Sequence, residues 1–180
     1  MNYFIQGFGV FLGVLAGTAV TVLVGLYFQR RNETQQARNL RFELELDIKK
    51  IETWLEETKR YRNAVNGDSL HTYFGYFDLS RIVFVTANAM IQSGLLYKKL
   101  GHDQIGKLQV ISSEFSAFGE QYLSGQLTQT KQLFVQCRTQ SQMDQWASEF
   151  KPEAVALVDF WERKFQEHKR ALEEILRSLH

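Results

Sequence analysis

The sequence predicts an all-α protein, an N-terminal transmembrane helix followed by a cytoplasmic antiparallel helical bundle. Three observations lead there. Residues Phe8 to Phe28 run for 21 positions without a charge. The chain holds one proline, Pro152, and is rich in Leu, Glu, Gln, Lys and Arg, which lose little freedom on entering a helix. Through most of the remainder, apolar residues recur at intervals of three and four, the spacing of a helix with one face on a core.

The apolar run comes first. At ~1.5 Å per residue it spans about 31 Å, close to the ~30 Å hydrocarbon core of a bilayer. Tyr3 and Tyr27 lie near its ends, where aromatic rings favour the interface. A cleaved signal peptide would carry a basic segment and a shorter apolar core, yet no Lys or Arg precedes this run. Arg30, Arg31, Arg38 and Arg41 follow it. Basic residues are retained on the cytoplasmic side, so the N-terminus is expected outside the inner (plasma) membrane and residues 30–180 inside. The expected division is 1–29 for tail and anchor and 30–180 for the bundle. Arg30 and Arg31 also suit anionic lipid headgroups.

Within the anchor, Gly9, Gly13, Gly17, Thr21 and Gly25 recur every four residues. Small residues at that spacing let a second helix backbone approach closely, so self-association into a homo-oligomer is expected. Glycine is also common in membrane helices generally, which is the plainer explanation of the same residues.

No Gly or Pro occurs between Leu26 and Asn66, so the anchor is expected to continue, unbroken or lightly kinked, into the cytoplasm. Its stripe is Ala37, Leu40, Leu44, Asp47, Ile51, Trp54, Thr58, Tyr61 and Val65, widened by Ile48 and Leu55. Phe42 and Leu46 lie off the stripe, which predicts contacts on a second side. Gly67 is the expected left-handed cap. Residues 69–85 are the least helical stretch. Thr86 is the expected cap of a short helix from Ala87 to Gln92 that stops at Ser93-Gly94, before a turn ended by Gly101. Asp103 is the expected cap of one long helix to about Thr139, weakened by Gly106, Gly119 and Gly125. Gln142 to Phe150 is a short amphipathic segment. Pro152 and Glu153 suit the first turn of a last helix with the stripe Val155, Val158, Trp161, Phe165, His168, Leu172, Ile175 and Leu179. Three long helices and the short ones are expected to share one core.

The chain offers little for catalysis. One cysteine, Cys137, rules out an intramolecular disulfide and a Cys-x-x-Cys metal site. No nucleophile elbow, phosphate loop, His-Glu-x-x-His or Glu-x-x-His motif occurs. No catalytic residue, metal ligand or cofactor is expected, and a net charge of +1 gives no reason to expect nucleic acid. His168, on an apolar stripe, is expected as a hydrogen-bonded core-edge histidine. Two surface candidates remain. Tyr73, Phe74, Tyr76 and Phe77 are either a lid on the core or a docking patch for an unknown cytoplasmic protein. Lys98, Lys99 and His102, with Lys107 nearby, are either solvated surface or an anion site.

The layout resembles a set of uncharacterised bacterial single-pass membrane proteins with a helical cytoplasmic domain. The matching residues are Arg30-Arg31, the run Phe42-Glu43-Leu44-Glu45-Leu46, and the segment from Thr86 to Leu96 that ends in Ser93-Gly94-Leu95-Leu96. The resemblance covers residues 8–135 and implies an inner-membrane location without assigning an activity. Two functional expectations follow from the whole. One is a membrane-tethered, self-associating interaction module with no catalytic activity. The other is a ligand-gated effector, of the kind used in antiviral defence, that permeabilises the membrane through several glycine-ridged anchors. The absence of charge from Phe8 to Phe28 weighs against a constitutive ion path.

Overall fold

The computed structural model describes residues 2–74, 82, 84–115 and 117–179, with side chains described at 16–74, 82, 84–115 and 121–179. The chain is all-α, with no strand among the described residues. Its elements are α1 (Asn2–Asn66), α2 (Val85–Gln92), α3 (His102–Glu114), α4 (Ala117–Gln136), α5 (Gln140–Gln145) and α6 (Lys151–Ser178). Short 3₁₀ turns cover Leu70–Thr72 and Leu96–Lys98, and a π-helical segment, Trp146–Phe150, joins α5 to α6. Packing divides the chain into two units, 1–39 and 40–180.

In the second unit, α1 buries one stripe. Leu40, Leu44, Asp47, Ile51, Trp54, Thr58, Tyr61 and Val65 are all buried, and Ile48 and Leu55 pack at the edge. The two polar members are accommodated locally. Asp47 accepts from Lys50 Nζ at 3.3 Å, and Thr58 Oγ1 donates to the Leu55 carbonyl at 2.8 Å. The expected second side finds no cover among the described residues, where Phe42 and Leu46 are exposed.

α6 lies antiparallel to both α1 and α3. Glu52 pairs with Lys169, and ten residues further along α1 Arg62 reaches back to Asp159 and Glu162. On the other side Gln104 bonds Ser178, Lys107 pairs with Glu174, and Glu114 meets Lys164 and His168. The α6 stripe buries Ala154, Val158, Trp161, Phe165, His168, Leu172 and Ile175, with Val155 and Leu179 half-buried.

Instead of one common core there are two clusters. The larger gathers Leu40 to Trp54 with α2, α3 and the C-terminal part of α6. The smaller gathers Tyr61, Val65, Leu70, Phe134, Trp146 and Val158 around the other end.

Three local expectations are corrected. First, the left-handed residue after α1 is Asp68 (φ 51°), one position beyond Gly67. Gly67 N–H still caps the helix through Asn63 O at 2.8 Å, and Asp is among the few residues that tolerate that conformation. Second, Gly101, not Asp103, is the N-cap of α3, and Gln104 Oε1 accepts from Gly101 N–H at 3.1 Å. Third, the single helix expected to Thr139 breaks at Phe115, which leaves helical geometry (φ −91°, ψ 33°). Phe115 is buried against Trp54 and Phe165, with ring centroids 5.2 and 6.0 Å away. Burying that ring outweighs the few tenths of a kcal/mol that continued helix would offer.

α5 begins with a capping box. Thr139 Oγ1 accepts from Gln142 N–H at 3.3 Å, and Gln142 Oε1 accepts from Thr139 N–H at 3.1 Å. The π-helical widening lies just before Pro152. That residue has no N–H to return to the preceding turn, so an α ladder could not close there in any case.

Candidate functional site

The first candidate region is the N-terminal part of α1. Every residue from Ala16 to Asn32 is exposed. Among them are Val20, Val22, Leu23, Val24, Leu26, Tyr27 and Phe28, whose exposures run from 47% at Val24 to 66% at Leu23. Helical periodicity spreads these side chains over roughly two-thirds of the circumference, and the remaining arc holds Thr18, Thr21, Gly25 and Gln29. Gly17 and Gly25 have nothing within 4 Å of where a Cβ would stand. Thr21 Oγ1 donates to Gly17 O at 2.9 Å, which satisfies the hydroxyl inside the helix. Arg30 and Arg31 are exposed. Gly9 and Gly13, with the rest of the expected span before Ala16, lie outside the residues whose side chains are described. Among the described residues no helix is long and apolar enough to cross a membrane.

The second region is the aromatic patch. Tyr73 is half-buried with its ring 5.1 Å from that of Tyr61. Burial, reinforced by the Glu57 carboxylate, pushes its phenol well above the ordinary range. Phe74 is 86% exposed, and Lys131 Nζ stands 4.3 Å from its ring centroid while donating to Tyr73 O. Together with Leu127 and Val135 they line a groove of about 470 Å³. Tyr76 and Phe77 lie outside the described residues.

The third is the basic cluster. Lys98, Lys99 and His102 are exposed, and the His102 ring packs 5.7 Å from Tyr97. Lys107 does not add to it, because its ammonium is 3.0 Å from Glu174. Asp103 adds an opposing charge in the same turn. Among the described residues no group of three or more His, Cys, Asp or Glu side chains is placed to hold a metal ion.

His168 is where the stripe places it, buried, with Nε2 2.6 Å from Glu114 Oε2 and its ring edge-on to Phe115. Burial alone would raise the Glu114 pKa, but hydrogen bonds from Lys164 and His168 hold it below the usual carboxylate range. Sequence reasoning missed Glu43. Its carboxylate accepts from Thr86 N–H at 2.8 Å and Ala87 N–H at 3.1 Å, so a residue of α1 caps the start of α2. The expected cap, Thr86, receives a cap instead of supplying one, and the N-cap residue Phe84 makes no side-chain cap bond. An anion at that helix end is favoured by both its free N–H groups and its dipole. The partners stand 43 positions apart in the chain, which leaves no local signal for it.

No family model, curated protein or solved structure matches this chain.

Proposed function

We propose that this chain is a membrane-anchored helical interaction module, self-associating through its anchor and without catalytic activity of its own. The observation that carries the reading is the run from Val20 to Phe28, where seven large apolar side chains are exposed on a helix and none finds cover among the described residues. Transferring such a side chain fully out of water is worth about 1.5–3 kcal/mol, so the run calls for lipid or another helix around it. The uncharged sequence continues back to Phe8, and Arg30 and Arg31 follow at the expected cytoplasmic boundary. Gly17 and Gly25 are open to a second backbone. The exposed Phe74 beside the 470 Å³ groove is the patch we assign to a cytoplasmic protein partner.

The test is membrane insertion and assembly of the full chain. Wild type is expected in the membrane fraction after alkaline carbonate washing. Leu23→Arg, which adds about 2.5–3.5 kcal/mol to the insertion of the helix, is expected to shift it measurably into the soluble or aggregated fraction. Carbonate-extractable wild type would overturn the anchor. Light scattering in detergent should give an oligomer for wild type and a smaller mass for Gly17→Leu. An unchanged mass would overturn association through the glycine ridge.

A further inference from the structure

We propose that the groove between α3 and α6 is a second self-association contact, occupied by another copy of this chain about a two-fold axis that passes beside residues 168 and 169. It deepens the self-association proposed above but rests on a different observation, made wholly within the unit 40–180. The groove holds about 390 Å³. Its floor is apolar, formed by Val110, Ile111, Ala171 and the His168 ring, and Val110 is 51% exposed.

The charges on its wall identify the occupant. Along α6, Asp159, Glu162, Lys164, Lys169 and Glu174 each have an ion-pair partner on another helix. Glu167 and Arg170 line the groove, are exposed, and take part in no ion pair among the described residues. They stand three residues apart, so they share a face of the helix. A two-fold axis between them reverses the direction of the second α6 and sets Glu167 of each copy against Arg170 of the other. An unrelated partner would need an acid and a base in reversed order flanking an apolar strip. A second copy supplies them by symmetry, as an isologous interface requires. Such opposed pairs contribute orientation and specificity, with the apolar floor supplying the contact.

The experiment uses the full chain in detergent with Gly17→Leu as the background, so that anchor association is weakened. Sedimentation equilibrium should show a reversible dimer. Glu167→Arg and Arg170→Glu should each weaken it by at least about tenfold, because like charges then face each other. The double reversal should return it to within about threefold of the background, since the pairing is restored with its signs exchanged. All three substituted positions are exposed, and circular dichroism of each variant should match the background. A background chain that is monomeric at every concentration overturns the contact, and so do single reversals without effect or a double reversal that fails to rescue. Failure of the anchor reading is distinguishable, because it appears as equal masses for wild type and Gly17→Leu.

Discussion

α1 contains two stretches of helix with the same backbone and opposite relations to their surroundings. From Ala16 to Asn32 every side chain is exposed, apolar ones included. From Leu40 to Val65 most apolar residues fall on one stripe, with Phe42 and Leu46 exposed outside it, and that stripe is buried at 0–5% exposure from Leu40 to Tyr61. The difference lies in how the apolar residues are distributed. In the first stretch large apolar side chains cover roughly two-thirds of the circumference, more than a single protein face can cover. A stripe needs one partner, and α6 and α3 supply it within the chain. Helical propensity alone does not separate the two stretches; the spacing of Leu, Val and Phe does.

The comparison breaks most readily through large-to-small substitutions. Phe165→Ala should cost about 3–5 kcal/mol, since the ring is fully buried against Trp54, Phe115 and Trp161. Leu23→Ala should leave the same transition unmoved. Urea unfolding of the full chain in detergent reads both, and tryptophan fluorescence is well suited because Trp54, Trp146 and Trp161 are all buried in the unit 40–180. Equal shifts for the two variants would mean that the exposed stretch is part of the cooperative core.

Smaller effects sharpen the description of the buried half. Glu43→Ala removes the charged cap of α2 and should cost about 0.5–2 kcal/mol, whereas the exposed neighbour Glu45 should tolerate alanine within about 0.5 kcal/mol. Glycine substitutions separate backbone need from helix weakness. Gly94 has φ +75°, so Gly94→Ala should destabilise by about 1 kcal/mol although the space beside it is open. Gly125 lies inside α4 with the same open space, and Gly125→Ala should stabilise by about 0.5–1 kcal/mol. Thermal melts resolve the two signs.

The smallest effect is in acid. The Glu114 pKa is lowered in the folded state, so its contribution is present above the unfolded carboxylate value near ~4.3 and fades as the pH falls below that, through the folded value. Wild type should therefore lose more stability than Glu114→Gln between about pH 5 and pH 3. Parallel curves over that range would show that Glu114 contributes nothing to the acid response.

Much of the fold was legible because its signals are local. The stripes of α1 and α6 follow from spacing, and Pro152 and Asn66 mark helix ends through backbone chemistry that neighbouring residues carry. His168 was placed correctly for the same reason. The break at Phe115 was not legible, because the apolar period of Ile105, Leu108, Ile111 and Phe115 runs on past it without a Gly or Pro. The aromatic and basic candidates were named from clustering in sequence. That could not show Lys107 neutralised by Glu174, a residue 67 positions away.

The sequence by itself determined the helical class, the apolar character of Phe8–Phe28, the position of the charges that follow it, and which face of α1 and α6 is buried. These are properties of residues within a turn or two of one another, where periodicity and capping act. The tertiary structure alone decided that Glu43 caps α2, that Phe115 ends α3, that the core divides in two, and that Glu167 and Arg170 take part in no ion pair among the described residues. Each depends on groups tens of residues apart meeting in space, and no local pattern encodes which of many possible partners a charge or a ring will find.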